Sequence, residues 1–205
     1  VYYIGNLEIA RLKMGQVQFF NLDREEIEKE ITQIKWDAKA AEKAGFEHFM
    51  MKEIHEQPKA AQDTLASVIV DKKIDLSAVG LTEEEIKKIS QIYIVACGSA
   101  YHVGVAAQYV MEDLAKIPVR VELASEFRYR KPLIAKDSLA IVVSQSGETA
   151  DSLAALREAK NLGAKTLAVV NVVGSSIARE ADNVFYTLAG PEIAVATTKA
   201  DSTQL

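Results

Sequence analysis

From Gln91 onward, short runs that are apolar at nearly every position alternate with longer stretches that are apolar on one face only. Ile92 to Ala96, Val119 to Leu123, Leu139 to Val143, Leu167 to Val170 and Val184 to Leu188 are the short runs, rich in Val, Ile and Leu. Such runs fit strands buried on both faces of a parallel sheet. Tyr101 to Ile117, Ala150 to Leu162 and Ile177 to Ala181 read as helices, the first stopped by Pro118 and the second by Gly163. Lys199 to Leu205 opens a further helix. The alternation predicts the α/β class: a doubly wound, parallel, five-stranded sheet flanked by helices, with right-handed crossovers.

Upstream the pattern is less regular. Val1-Tyr2-Tyr3-Ile4, turn chemistry at Gly5-Asn6 and an alternating stretch to Lys13 predict a hairpin, with Gln16 to Asn21 a further short strand. So small a β segment buries little by itself. Arg24 to Ile34 carries Ile27, Ile31 and Ile34 at helical spacing, and Ala38 to Ala44 is helix-prone up to Gly45. Phe46 to Glu56 reads as a short helix. Gln57-Pro58 reads as its end and Pro58 as the first turn of the next helix, through about Val70. Asp71 to Val79 reads as irregular. Thr82 before Glu83-Glu84-Glu85, with Lys87 and Lys88 later, is the charge order of a capped helix. The expected division is 1–43, 44–80 as a helical linker, and 81–205 as the α/β domain. A chain that opens on Val1 and stops inside its last helix reads as a piece of something longer.

The stretch richest in chemistry is Ser144-Gln145-Ser146-Gly147-Glu148-Thr149, between an apolar strand and an amphipathic helix. That is the carboxyl edge of the sheet, where ligands bind in this architecture. Its hydroxyls, an amide and backbone N–H groups at a helix start suit an anion, above all a phosphate. Each hydrogen bond to a charged oxygen contributes roughly 1.5–3 kcal/mol net, so a few hold a sugar phosphate without Lys or Arg. The plain alternative is that Thr149 caps the helix and nothing more. Cys97-Gly98-Ser99-Ala100 is a second tight loop, and if the first and third strands are neighbours at a switch point, Ser99 faces the same crevice. Gly174-Ser175-Ser176 reads as a capped turn rather than a binding loop.

Composition narrows the function. Among 205 residues the apolar share is 49%, enough for a substantial core, and the formal net charge is −5, which argues against nonspecific nucleic-acid binding. The basic cluster Arg128, Arg130 and Lys131 around Tyr129 therefore reads as a domain or subunit contact. One cysteine, Cys97, excludes an internal disulfide and fits a reducing, cytoplasmic setting; it reads as a buried structural thiol rather than a nucleophile. His48, His55 and His102 lack metal-ligand spacing, so no metal is expected. Neither a dinucleotide nor a Walker-type glycine pattern occurs, and no apolar run reaches membrane-spanning length. Lys199 reads either as an anion ligand or as a solvated charge at a helix start.

These loops carry a family resemblance. Cys97-Gly98-Ser99, Ala124 to Arg130, Ser144 to Leu153 and Thr198-Lys199-Ala200 resemble the first sugar isomerase (SIS) domain, a flavodoxin-like fold, of the glutamine–fructose-6-phosphate aminotransferases. Glu47-His48-Phe49-Met50, Lys52-Glu53-Ile54 and Glu56-Gln57-Pro58 resemble that family's interdomain link, and Val1 to Lys13 the tail of its glutaminase domain. The resemblance implies a part of an enzyme that converts fructose 6-phosphate and L-glutamine into glucosamine 6-phosphate and glutamate. It implies that Ser144, Gln145, Ser146 and Thr149 hold the phosphate of fructose, glucose or glucosamine 6-phosphate, and that Ser99, Ala100, Val195 and Thr197 line the sugar. It further implies no cofactor, no catalytic residue within this piece, a glutaminase domain and a second SIS domain as partners, and a homodimer. Ala100 stands where the family has a hydroxyl, Thr197 where it has Ser, and Asp201 where an aromatic is expected; Ala194 departs as well. The competing reading is a non-catalytic SIS module that binds a phosphosugar and regulates a partner; a third is a structural module whose loop hydroxyls are only caps.

Overall fold

A computed structural model describes residues 1–33 and 41–205. The chain divides into two compact units, Val1–Asp37 and Ala38–Leu205.

The first unit is a small antiparallel sheet of β1 (Ile9–Lys13), β2 (Gln16–Phe20) and β3 (Glu26–Ile27). The hairpin expected around Gly5-Asn6 lies later in the chain. β1 pairs β2 from Ile9 opposite Phe20 to Lys13 opposite Gln16, leaving Met14-Gly15 as the turn. Val1 to Ile4 is not a strand; Tyr2 instead lays its ring 4.9 Å from the buried Phe19. The helix expected from Arg24 does not form among the described residues. Asn21 clips a bend there: its Oδ1 accepts from the Glu25 N–H at 2.9 Å, and its own N–H donates to Glu25 O at 3.1 Å. The chain leaves that bend already extended, and Ile27 pairs with Phe19 in β3. A β-branched isoleucine accepts a strand as readily as a helix, so the spacing did not fix the state of Ile27. Ile34 and the segment through 40, with part of the expected Ala38–Ala44 helix, lie outside the described residues.

The second unit is built on the parallel sheet. Its strands are β6 (Gln91–Ala96), β7 (Val119–Leu123), β8 (Ser138–Ser144), β9 (Lys165–Val170) and β10 (Asn183–Tyr186), in the order β10-β9-β8-β6-β7. All four pairings are parallel, with Ala96 opposite both Leu123 and Val143. The order reverses between β6 and β8, which makes their carboxyl ends the switch point. α3 (Gly98–Ala115), α4 (Ala124–Arg130), α5 (Ala150–Asn161), α6 (Ser176–Glu180) and α7 (Thr198–Gln204) complete the unit.

Alternation along β6 sets the two layers. Tyr93 and Val95 face one side and pack with Phe127 of α4 and Ala155 and Ala159 of α5. Ile92, Ile94 and Ala96 face the other, with Ala100, Tyr101 and Met111 of α3. Alanines at 124, 140, 155 and 159 are fully buried, so α5 lies close against the sheet. The fully buried Leu156 anchors a third cluster with Val142, Val170 and Ile177, a burial that contributes about 1.5–3 kcal/mol.

The linker differs from expectation at Pro58. α1 (Phe49–Ala66) is one continuous helix with Pro58 inside it. Proline removes the N–H that would bond Ile54 O. The Gln57 side chain supplies the missing donor, its Nε2 reaching Ile54 O at 3.1 Å. Beyond α1, β4 (Ile69–Val70), expected as the end of a helix, and β5 (Lys73–Ile74), expected as irregular chain, form a minimal hairpin. Asp71 and Lys72 both take positive φ, 50° and 61°, as a two-residue primed turn requires. α2 (Glu83–Lys88) starts as anticipated, with a full capping box between Thr82 and Glu85.

Candidate functional site

At the switch point the end of β6 runs into α3 and the end of β8 into α5, so the amino ends of two long helices open on one crevice. Gly98 begins α3 at φ 59° and Gly147 turns the β8–α5 loop at φ 65°, a backbone region open to glycine at little cost. A Cβ on Gly147 would collide with Ser175, so the loop also needs the missing side chain for close approach.

The crevice encloses a cavity of about 250 Å³. Ser99, Ala100, Ser144, Gln145, Ser146, Thr149 and Thr197 line it, together with Cys97, Gly98, Val143 and Ser152. Seven of the eight anticipated residues therefore meet in one place. Val195 does not line the cavity: it is 90% exposed on the neighbouring turn. Ser152 was not anticipated as part of the site; it lies one turn after Thr149 on the same helical face, a spacing that was legible.

The loop hydroxyls are held by the loop itself. Ser144 Oγ accepts from the Gly147 N–H at 3.1 Å and lies 3.3 Å from Thr149 Oγ1. Whichever of the two donates, the other keeps its proton for a ligand. Ser146 Oγ accepts from the Glu148 N–H at 3.2 Å. Gly147 O accepts from the Ile177 N–H at 3.0 Å and Gln145 O from the Asn171 N–H at 3.1 Å, which ties the loop to the β9–α6 segment. Thr149 occupies the N-cap position of α5 but makes no side-chain capping bond, and Cys97 likewise leaves α3 uncapped. The cap-only reading of Thr149 therefore fails. The first-turn N–H groups of both helices lack intrahelical acceptors and carry the positive end of the helix dipole.

Among the described residues no charged side chain lines the cavity. Glu148 turns away, its Oε1 accepting from the Ser176 N–H at 2.7 Å at the start of α6. The two sides thus present hydroxyls, an amide and helix ends, a field that favours an anion, with the Asp201 carboxyl the nearby acidic group, set behind Ser99 and hydrogen-bonded to it. Gly174 lies in a turn, but the capping expected there is absent: Ser175, buried at the N-cap position of α6, makes no side-chain capping bond, and Ser176 opens the helix. Cys97 is half-buried at the crevice wall rather than in the core, and Ser152 Oγ donates to its Sγ at 3.7 Å.

The flanking charges are mostly neutralised. Arg128 pairs with Asp151 at 2.7 Å and stacks 4.7 Å over the Tyr129 ring; the Asp151 hydrogen bond raises its pKa further. Arg130 binds both carboxylate oxygens of Glu122. Those two arginines are spent on intramolecular pairs. Lys199 is neither solvated nor at the cavity: only 3% exposed, it pairs with Glu56 of α1 at 2.7 Å. Asp201, one turn beyond Thr197, is half-buried; burial raises its carboxyl pKa, against a hydrogen bond from Ser99 and the nearby His102.

The turn before α7 is strained. Val195 and Thr197 both adopt positive φ, 63° and 57°. For β-branched residues that region costs about 1–3 kcal/mol each and persists only where neighbours hold it.

Residues 85 to 205 match the family described as SIS domain. The chain belongs to the SIS domain family. Among curated relatives, the glutamine–fructose-6-phosphate aminotransferase [isomerizing] of Clostridium acetobutylicum is 59% identical over 206 residues, covering all of this chain and 34% of that protein. The enzyme of the same name from Methanosarcina mazei is 48% identical, again covering all of this chain and 34% of that protein. This SIS chain thus spans about a third of the length of the curated relatives it matches. Among solved structures, the C-terminal domain of glucosamine-fructose-6-phosphate aminotransferase from Francisella tularensis superposes with a TM-score of 0.75 at 44% identity, covering 80% of this chain and 46% of that one. The sugar isomerase domain of an RpiR transcription factor from Sphaerobacter thermophilus, at 20% identity and a TM-score of 0.57, shares the fold.

Proposed function

We propose that the switch-point cavity binds the phosphate of a hexose 6-phosphate, and that this chain is the first SIS part of a glutamine–fructose-6-phosphate aminotransferase. The observation that carries the reading is a cavity lined by hydroxyls and open to two helix amino ends, with no charged side chain of its own. In this reading Ser146 and whichever of Ser144 and Thr149 keeps its proton donate to phosphate oxygens, and the first-turn N–H groups of α5 add backbone donors. Gln145 offers its amide. Ser99 and Thr197 bracket the sugar, and Val195 contributes through the turn it shares with Thr197. Ala100 packs there without a hydroxyl to offer.

Among the described residues the lining holds no carboxylate and no imidazole, so the acid–base work of isomerisation falls to groups outside it. In the whole protein that role goes to a second SIS domain. Release of ammonia from glutamine goes to a glutaminase domain ending in the first unit, with 1–43 its tail, 44–80 the link and 81–205 the sugar domain. The assembly is a homodimer in the cytoplasm, and it needs no cofactor. The 59% and 48% identities to enzymes bearing this name support the reading. Among the described residues no helix is long and apolar enough to cross a membrane.

Calorimetric titration with glucose 6-phosphate and fructose 6-phosphate in phosphate-free buffer tests it. Saturable binding that Ser146→Ala weakens is expected. Heat no different from dilution, or binding indifferent to Ser146→Ala, would refute the site.

A further inference from the structure

The turn Val195–Thr197 forms one wall of the cavity through Thr197, yet it sits in a backbone conformation that Val and Thr avoid. Something must hold it. The stretch just before it, Ile193 and Ala194, is gripped from α1. Glu53 is 2% exposed, and its Oε1 accepts from the Ile193 N–H at 2.6 Å and from the Ala194 N–H at 3.0 Å. Its second oxygen, Oε2, is buried with no hydrogen-bond partner among the described residues. A carboxylate so deeply buried on two backbone donors is costly to keep, and it takes no part in the cavity lining. Further contacts join the same helix to the far side of the turn: Glu56 to the buried Lys199, and Gln57 Oε1 accepting from Ser202 Oγ. The turn is thus held before it by Glu53 and after it by Glu56 and Gln57, all from one face of α1.

We propose that Glu53 is a positioning residue: from α1 it clamps the Ile193–Ala194 backbone and so holds the strained Val195–Thr197 turn in the shape that completes the sugar end of the cavity. The proposal rests on the sugar-phosphate reading above and assigns the sugar-side wall to a residue of the preceding helix. A carboxylate serves because two N–H groups converge on one oxygen, and a charged acceptor bonds about twice as strongly as a neutral one. Without it the strained turn relaxes, and affinity falls with the fraction of molecules still in the competent shape. The phosphate loop Ser144–Thr149 has its own internal bonds and does not depend on Glu53.

The test compares the full-length protein with its Glu53→Ala and Glu53→Gln variants, using glucose 6-phosphate and inorganic phosphate as probes and amide hydrogen exchange as a third readout. Glu53→Ala is expected to weaken glucose 6-phosphate binding about tenfold while phosphate binding stays within about twofold. Exchange at residues 193–197 is expected to quicken by at least about tenfold, with exchange in the sheet unchanged. Glu53→Gln keeps an acceptor oxygen and is expected to recover much of both effects. Equal weakening of the two probes, or faster exchange spread through the sheet, would mean that Glu53 supports only global stability and would overturn the proposal. Unchanged exchange at 193–197 in Glu53→Ala would overturn it as well. Failure of the parent protein to bind glucose 6-phosphate would instead overturn the site reading, and is told apart because the exchange arm still reports on the turn.

Discussion

Gly147→Ala isolates the geometric demand of the phosphate loop. Gly147 sits at φ 65° and is buried between β8 and the β9–α6 segment. An added Cβ would overlap Ser175 Oγ and stand 2.5 Å from Ser175 Cβ. Two costs follow. Alanine in the left-handed region costs about 1–2 kcal/mol, and pressing a methyl into a packed contact about 1–3 kcal/mol more. The expected loss is therefore about 2–5 kcal/mol, read as a lower urea midpoint at unchanged slope. The two parts separate in a double-mutant cycle. Ser175 Oγ is buried without a hydrogen-bond partner among the described residues, so Ser175→Gly deletes the obstacle without stranding a donor. The pair Gly147→Ala/Ser175→Gly should recover the packing part, a coupling of about 1–3 kcal/mol, and retain the backbone part. A loss below about 0.5 kcal/mol in the single variant, or a double variant no better than the sum of its parts, would refute the reasoning. Either result would mean that the loop has room to move, and a cradle that moves is not preorganised for an anion.

Ser144→Ala, Ser146→Ala and Thr149→Ala should each weaken glucose 6-phosphate binding by about 1.5–3 kcal/mol, roughly ten- to a hundredfold by calorimetry. Ser144→Ala should also cost more stability than Ser146→Ala, since it strands the buried Gly147 N–H, whereas the Glu148 N–H that Ser146 Oγ accepts from is exposed. The Glu56–Lys199 pair predicts an asymmetry in denaturation. Glu56→Gln leaves a lysine that is 3% exposed without its carboxylate and should cost about 3–5 kcal/mol, whereas Lys199→Met leaves a Glu56 that is 34% exposed and still near Lys52, and should cost less. Equal losses would count against that ordering. Acid should weaken the α2 contact. The Glu85 carboxyl is lowered from 4.5 to about 2, first by the Lys165 hydrogen bond and then by the Thr82 N–H and hydroxyl. Because the folded value is depressed, its contribution is complete above about 4.5 and is lost as pH falls through about 2. Carbon-13 titration of the side chain checks this, and a midpoint near 4.5 would contradict it.

Adjacent residues announced the α/β core and the phosphate loop. Strands covered on both faces must be apolar throughout, so β6, β8 and β9 stand out as runs. The loop after β8 is legible because hydroxyls crowd a strand-to-helix junction that capping alone does not require. The Thr82–Glu85 box at α2 is local in the same sense. The errors fall where distant partners decide. A bend clipped by Asn21 put Ile27 into a strand where helical spacing pointed to a helix, and the Gln57 side chain let α1 run on through Pro58. Lys199 looked like a solvated charge until Glu56, on the far side of the chain in sequence, buried it. Glu53 stood out only within the stretch that resembles the family's link; its role carried no signal, because its partners are the backbone amides of Ile193 and Ala194, and a backbone amide leaves no trace in side-chain pattern. Neighbour-to-neighbour preference can be read along a chain; which buried charge meets which distant amide exists only once packing has brought them together.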